Sequence, residues 1–585
     1  MLKVQSHGEM NLLDCLRSSG ILLESPCNGK GICGKCKVKI LSGTVSALTE
    51  QEKRYLTREE IAGGIRLACL TIPQGEVELD EQGLLQEKPN NVLGGEVVHV
   101  DIDPLFTIEQ LDVVKPTLEN GYSLSQAMGD ALLREAAPPL ALLEKLPGLM
   151  QEQHLWKVAY AGKTIDITKQ PEVYGLAVDI GTTTVAVSLI ELSTGTVRAE
   201  EGFVNPQKAF GLDVLSRIHY DMEHTNGVLE LRRVIVERLQ KAAEEMVKRA
   251  NVALDAIYEV VVGANATMLH ALLGIPLKSL GTAPYSSVFT QPITVLAKEL
   301  GFALHDQTRL YCIPSVSTFI GGDIVSGVLA SQLDRAEDTA LLVDIGTNGE
   351  IVLSQKGRMY SCSCAAGPAL EGMNISCGMR AEPGAVEHVT LNDGGVQLQT
   401  ISNLPPVGLC GSGLLEAISQ VVEKGIVGKT GRIASESALV DTDADGKRRV
   451  VLDRERNIYL TQSDIRQVQF CKGAILSGIL TLMQRLGLEE QEIDRVIVAG
   501  QFGKHLNPES LTGAGLIPVS LKERISYIGN SSMMGAHLCL LNQSERRRAE
   551  EVAKNIEYIE LSVSPGYEKL FTKCLQFECL QFGGM

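Results

Sequence analysis

Four cysteines carry the first chemistry legible in this chain. Cys27, Cys33 and Cys36 stand in Pro26-Cys27-Asn28-Gly29-Lys30-Gly31-Ile32-Cys33-Gly34-Lys35-Cys36, and Cys69 follows in Arg66-Leu67-Ala68-Cys69-Leu70. Thiolates bunched in this way ligate a metal centre. Gly29, Gly31 and Gly34 let the intervening backbone wrap it closely, with N–H groups aimed at sulfur. A second chemistry is phosphate binding. In Leu176-Ala177-Val178-Asp179-Ile180-Gly181-Thr182-Thr183-Thr184-Val185-Ala186-Val187 an apolar run enters a tight turn and another leaves it. Gly181 allows the turn, and Thr182, Thr183 and Thr184 offer N–H and hydroxyl donors to a phosphate. Asp179 stands where an acid orients a magnesium ion or a water. The pattern recurs as Leu342-Val343-Asp344-Ile345-Gly346-Thr347-Asn348-Gly349-Glu350-Ile351. Two copies of Val-Asp-Ile-Gly-Thr on matching hairpins are an internal repeat at domain scale.

These residues need elements to position them. Met1–Val4 reads as a strand, Asn11 as the cap of a helix through Leu12, Leu13, Cys15 and Leu16, and Lys37–Ile40 as a further strand. Zinc ligands usually arrive as two close pairs, whereas here three cysteines are together and one is alone. The spacing C-x5-C-x2-C…C lies nearer the plant-type ferredoxin pattern. Residues 1–88 thus resemble a β-grasp, ferredoxin-like [2Fe–2S] domain, with Cys27, Cys33, Cys36 and Cys69 as ligands. Such domains open with a full hairpin, and this chain starts almost at the second strand. Cys362, Cys364, Cys377, Cys410, Cys574 and Cys579 are scattered, as buried or incidental thiols are.

Lys88-Pro89-Asn90-Asn91 and Gly94-Gly95 mark a linker over 89–104. A small α+β middle domain is expected over 105–172, with helices at Ser123–Ala136 and Leu140–Met150, the second interrupted by Pro147, and a hairpin at Trp156–Ile167. Ala161-Gly162-Lys163-Thr164 imitates the end of a P-loop, but Lys157 occupies the position of its first glycine. A spacer or docking role suits this region. From 173 to 585 the chain reads as α/β in two halves, roughly 173–335 and 336–585. Leu229–Ala250 has helical apolar spacing, and Val260–Met268 is a strand running into a helix. Glycine-rich turns follow at Gly408-Leu409-Cys410-Gly411-Ser412-Gly413, Gly500-Gln501-Phe502-Gly503 and Gly529-Asn530-Ser531-Ser532.

Bulk composition narrows the partners. At 585 residues several domains are expected. A net charge of −17 argues against a phosphate backbone as partner, and 4% aromatic residues advertise no base-stacking platform. No apolar run approaches a membrane span and no signal pattern opens the chain, so a cytoplasmic protein is expected. There, 14 cysteines suggest metal or redox work rather than disulfides.

In this order the turns resemble the acetate kinase, sugar kinase, Hsp70 and actin superfamily, whose duplicated ribonuclease H-like halves clamp ATP and close upon it. The resemblance implies ATP and Mg2+ as cofactors. Asp179–Thr184 and Asp344–Asn348 would face the phosphates, Asp179 positioning magnesium and Asp344 the attacking water. Gly411 and Ser412 would join the nucleotide site, with Gly500, Gln501, Phe502 and Gly503 by the adenosine. Joined to a [2Fe–2S] domain, and with Asn205-Pro206-Gln207, Gly321-Gly322-Asp323-Ile324, Cys364-Ala365-Ala366-Gly367-Pro368-Ala369, Asn374-Ile375-Ser376-Cys377-Gly378-Met379 and Thr461-Gln462-x-Asp464-Ile465-Arg466, the chain resembles the reductive activators of corrinoid proteins. That implies an ATP-hydrolysing oxidoreductase that passes one electron to an inactive Co(II) corrinoid to regenerate Co(I) for methyl transfer. The implied partners are a corrinoid protein (a methyltransferase component or a corrinoid iron–sulfur protein) and an upstream low-potential donor, and the chain is left open to homodimerisation. Ser376 would approach the cobalt. The alternatives are a metabolite kinase or ATPase with a zinc or redox-sensing N-terminal domain, an activator of a 2-hydroxyacyl-CoA dehydratase, and a non-enzymatic actin-like or chaperone-like module. The dehydratase activators need no N-terminal cysteine domain.

Overall fold

The apolar runs on either side of both Asp-Ile-Gly-Thr turns are strands, and both turns close hairpins. In the computed structural model Tyr174–Ile180 pairs antiparallel with Thr184–Glu191, Ile180 opposite Val185. Thr339–Ile345 pairs in the same way with Gly349–Gln355, Ile345 opposite Gly349. The structure describes residues 2–5, 10–19, 21, 23, 29, 31, 34–80, 100–129, 138–150, 152, 154–392, 395–434, 436–443, 446–500 and 506–577. They fall into two compact units, 1–93 with 102–312, and 94–101 with 313–585.

In the first unit a four-stranded sheet runs in the order Leu2–Gln5, Glu76–Leu79, Lys37–Ser42, Ile65–Leu67. Helix Leu12–Ser18 buries Leu12, Leu13, Cys15 and Leu16 with Val38, Leu67, Val77 and Leu79. Asn11 caps it as expected, its Oδ1 accepting from the Asp14 N–H at 3.0 Å. The opening strand, Leu2–Gln5, takes the sheet edge beside Glu76–Leu79. The middle domain has the expected hairpin, Leu155–Tyr160 with Lys163–Thr168, and Phe106–Leu111 completes its sheet. Two expectations for its helices change. Ser123 does cap a helix, which ends at Ala127, and positions 130–136 of the expected one lie outside the described residues. Pro147 lies inside Leu140–Leu149 without ending it, and the helix forgoes there the one bond that an N–H at this position would give.

The rest of the first unit is a six-stranded sheet in the order Val197–Val204, Thr184–Glu191, Tyr174–Ile180, Ile257–Ala264, Arg309–Cys312, Ile293–Leu296. Its two central strands, Tyr174–Ile180 and Ile257–Ala264, are buried along their whole length, which is why they read as apolar runs broken only by Asp179 and Glu259. Helix Gly227–Ala250 packs its Ile235, Leu239, Ala242 and Met246 stripe into that core.

The second unit repeats the plan. Its sheet runs Ile525–Gly529, Arg495–Ala499, Thr339–Ile345, Gly349–Gln355, Arg358–Cys364, Ile556–Tyr558. In each sheet a three-stranded antiparallel meander leads into two strands parallel to its first. The sequence repeat is therefore a repeat of topology. Helix Gln462–Leu486 lies on this sheet, and Gly478 lets it come close: a Cβ there would sit 2.7 Å from Ile351 Cδ1. Helix Gly322–Ser331, which the sequence places with the first half, packs here instead. It meets helix Ser531–Leu541 so tightly that a Cβ on Gly535 would lie 2.4 Å from Ser326 Cα.

Candidate functional site

Cys36 and Cys69 meet across the first sheet. Their Sγ atoms lie 3.2 Å apart and both side chains are buried. The Cys69 thiol beside it holds the Cys36 thiol down to about 7, the direction a thiolate ligand needs. Cys27 and Cys33 lie outside the described residues. Between Cys27 and Cys36, Gly29, Gly31 and Gly34 all adopt positive φ. A Cβ on Gly34 would lie 2.7 Å from Tyr55 Cβ, and one on Gly31 would lie 2.9 Å from Leu70 Cδ2. Two apposed buried thiols beside a glycine-lined loop fit an iron–sulfur centre.

Sequence reasoning missed what holds Cys69. Glu52 is fully buried, and its carboxylate accepts from Arg66 Nε at 2.8 Å, from Arg66 Nη2 at 3.0 Å and from the Thr49 N–H at 2.9 Å. It also accepts from the Leu67 N–H at 3.2 Å, two residues before Cys69. Burial opposes its charge, but Arg66 and the N–H groups of Thr49 and Leu67 outweigh it and hold the carboxyl at about 2.

The first hairpin presents Gly181, Thr182 and Thr183 in its turn, with Asp179 near the end of one strand and Thr184 at the start of the next. Gly181 has no room for a side chain, since a Cβ would lie 2.7 Å from the Thr184 carbonyl oxygen. Asn205, from Asn205-Pro206-Gln207, and Arg217 hold this turn. Asn205 Nδ2 donates to the Gly181 carbonyl at 2.8 Å, and the Asn205 N–H donates to the Thr183 carbonyl at 2.9 Å. The fully buried Arg217 guanidinium donates to the carbonyls of Thr182 and Gly211. A buried cation under a turn of donors favours an anion there. Asn265, capping helix Ala266–Leu273, donates to Thr182 Oγ1 at 3.3 Å.

On the second hairpin, Gly346, Thr347 and Asn348 form the turn, closed by the Gly346 N–H donating to the Asn348 carbonyl at 2.9 Å. Thr347 Oγ1 donates to Glu371, in the short Pro368–Glu371 helix of the Cys364–Ala369 string. Helix Gly411–Glu423, opened by Gly411 and Ser412, packs against that short helix. Gly500 abuts the hairpin directly: a Cβ would lie 2.8 Å from the Ile345 carbonyl oxygen and 3.0 Å from Asp344 Oδ1. Gln501, Phe502 and Gly503 lie outside the described residues. Glu350, unforeseen from the sequence, faces Asp344 and Asp323. Its burial, then their two charges, push its carboxyl well above the usual range. An added cation would relieve that repulsion. Among the described residues, no group of three or more His, Cys, Asp or Glu side chains is placed to hold a metal.

Ser376 is exposed, on a loop held elsewhere in the second unit. Its N–H donates to Asp464 Oδ1 at 2.8 Å and its Oγ to the same oxygen at 3.1 Å. Asp464 Oδ2 takes the Thr461 N–H and hydroxyl, both at 2.8 Å, in the capping box of helix Gln462–Leu486. Two strings far apart in sequence thus form one structure. The loop is locked by glycine at its ends: a Cβ on Gly372 would meet the Met379 carbonyl oxygen at 2.2 Å, and one on Gly378 the Gly372 carbonyl oxygen at 2.2 Å.

Known proteins share this arrangement. A family described as the C-terminal domain of RACo, the ASKHA domain, matches residues 338–582, and the RACo middle region matches residues 174–336. The 2Fe-2S iron-sulfur cluster binding domain family matches residues 3–74. The solved structure of a reductive activator for corrinoid, iron-sulfur protein aligns over 100% of both chains at 31% identity and a TM-score of 0.74. The corrinoid activation enzyme RamQ of Eubacterium limosum is 27% identical over 95% of this chain and 94% of its own. The [Co(II) methylated amine-specific corrinoid protein] reductase of Methanosarcina barkeri is 22% identical over 68% of this chain and 76% of its own.

Proposed function

The chain belongs to the reductive activators of corrinoid proteins, and on that premise we propose that it uses ATP to return an inactive Co(II) corrinoid protein to Co(I). The observation that carries this reading is the presence in one chain of a buried cysteine pair and a duplicated phosphate hairpin. A [2Fe–2S] cluster on Cys27, Cys33, Cys36 and Cys69 supplies a one-electron carrier near −400 mV, the usual range for the plant type.

The chain's own residues then divide the work. Each 100 mV of uphill transfer costs about 2.3 kcal/mol per electron, so nucleotide chemistry has to drive the step. The Gly181–Thr184 and Gly346–Asn348 turns donate to phosphate oxygens, and the Arg217 guanidinium behind the first turn adds attraction. Asp179 would hold Mg2+, which would supply charge to offset that of the phosphates. Asp344 orients the attacking water, with Asp323 and Glu350 beside it. Gly411 and Ser412 border the nucleotide, and Gly500 to Gly503 lie by the adenosine. Ser376 approaches the cobalt from its fixed loop. A low-potential donor re-reduces the protein, in the cytoplasm. Among the described residues no helix is long and apolar enough to cross a membrane.

The test is anaerobic and optical. The Co(II) absorbance of a corrinoid protein should give way to that of Co(I) only when ATP and a reductant are both present. Ser376→Ala should abolish this while ATP hydrolysis continues. Full activation by Ser376→Ala would remove the serine from the mechanism, and cobalt reduction independent of ATP would overturn the reading as a whole.

A further inference from the structure

One short segment touches both parts of the cysteine site. At Gln51, Nε2 donates to the Gly31 carbonyl at 3.1 Å. Glu52 ties the same segment to Arg66 and to the Leu67 N–H, on the strand that leads to Cys69. Tyr55, at the end of helix Glu52–Tyr55, lies flush on Gly34, where an added Cβ would come within 2.7 Å of Tyr55 Cβ, 2.8 Å of Cδ1 and 2.9 Å of Cγ. Gly34 also has φ of +65°, so neither the backbone nor the ring leaves room for another residue. The tyrosine is 38% exposed: one side packs on the loop and the other meets water.

We propose that Thr49–Tyr55 is the cover of the cysteine site and that the Tyr55 ring keeps water from its ligand loop, holding the reduction potential of the bound centre low. This rests on the reading of Cys27, Cys33, Cys36 and Cys69 as ligands. Cluster potentials depend on solvent exposure and on hydrogen bonding at sulfur. Reduction adds negative charge, which water stabilises, so a dry loop favours the oxidised state and makes the reduced state a stronger donor. A strong donor is what Co(II) reduction requires. Tyr55 acts here through the loop and is a positioning residue.

The full-length protein is purified anaerobically, its iron and sulfide are measured, and its midpoint is read by spectroelectrochemical titration. Tyr55→Phe keeps the ring and should titrate like the wild type. With iron content unchanged, Tyr55→Leu should titrate at a higher potential. The expected shift makes electron donation about three- to tenfold less favourable, at most about 59 mV for one electron. Iron loss to a chelator should quicken in the same variant. A wild-type midpoint in fully loaded Tyr55→Leu overturns the proposal. Should that variant emerge without iron, Tyr55→Met takes its place: a raised midpoint supports the cover, and a wild-type midpoint overturns it. A wild-type protein lacking two irons per chain would overturn the ligand reading itself, and the proposal with it.

Discussion

Glu52 shows what a single buried charge does for the cysteine site. Its carboxylate holds Arg66, itself 9% exposed, and the N–H of Leu67, so an ion pair fastens the strand ending near Cys69 in addition to its pairing with Lys37–Ser42. Removing one partner of such a pair costs roughly 3–5 kcal/mol, because the other charge is left buried. The pH dependence has a definite sign. The folded carboxyl sits at about 2, below the ordinary value of 4.5. Its contribution is therefore fully present above pH about 4.5 and is lost as pH falls from there toward 2. Glu52→Gln should bleach faster in chelator at neutral pH and lose that part of the wild type's acid sensitivity. Bleaching indistinguishable from wild type at both pH values would show that Cys69 is held by other means. Cys27, Cys33 and Cys36 could be read as candidate ligands because their spacing is local, whereas Cys69 meets Cys36 only through the fold. Glu52, Arg217 and Glu350 were not legible, because their partners are brought close only by the fold, and in sequence each looks like an ordinary surface charge.

Among the elements, those with strong periodicity read well and those defined by distant contacts did not. The buried strands around Asp179 and Asp344 and the helix Gly227–Ala250 follow directly from apolar pattern. The string Thr461–Arg466 was visible as a motif, but its purpose emerges only where Asp464, 1% exposed, receives Ser376. One carboxylate thus caps helix Gln462–Leu486 and fixes the Asn374–Met379 loop. Asp464→Ala should cost about 1–3 kcal/mol in denaturant unfolding, from a lost cap and an unsatisfied N–H. It should also reduce the rate of corrinoid reduction, toward the loss expected of Ser376→Ala, with the visible spectrum of the N-terminal domain unchanged. Asp464→Asn, which keeps one acceptor, should fall between. Reduction at the wild-type rate by Asp464→Ala would mean that the loop keeps its shape without this anchor.

Across the first unit, the middle domain is more than a spacer. Asp166, on strand Lys163–Thr168, is 3% exposed and accepts from Tyr258 Oη at 2.8 Å and Lys145 Nζ at 3.0 Å, with His305 Nε2 at 2.9 Å. Tyr258 and His305 belong to the phosphate-hairpin sheet and its loops, so this carboxylate joins two domains. Aromatic contacts continue the join: Arg309 lies over the Tyr160 ring at 4.2 Å, and Phe106 stands 6.0 Å from Tyr258. Burial opposes the charge on Asp166, but His305 and Lys145 prevail and its carboxyl stays below the usual range. Its stabilisation is therefore lost on acidification and present at neutral pH. The sequence could not announce this, since the middle domain carries no motif and its partners come from three separate segments. If the middle domain moves as part of the first ATPase half, loosening Asp166 should free it without unfolding that half. Hydrogen exchange is the measurement. In Asp166→Ala, amides of Leu155–Tyr160 and Lys163–Thr168 should lose protection while those of Ile257–Ala264 keep it, and ATP-dependent cobalt reduction should fall further than ATP hydrolysis. Equal protection in all three strands would mean that the aromatic contacts alone hold the domains together. Equal loss of reduction and hydrolysis would mean that the joint serves the nucleotide site rather than the delivery of the electron.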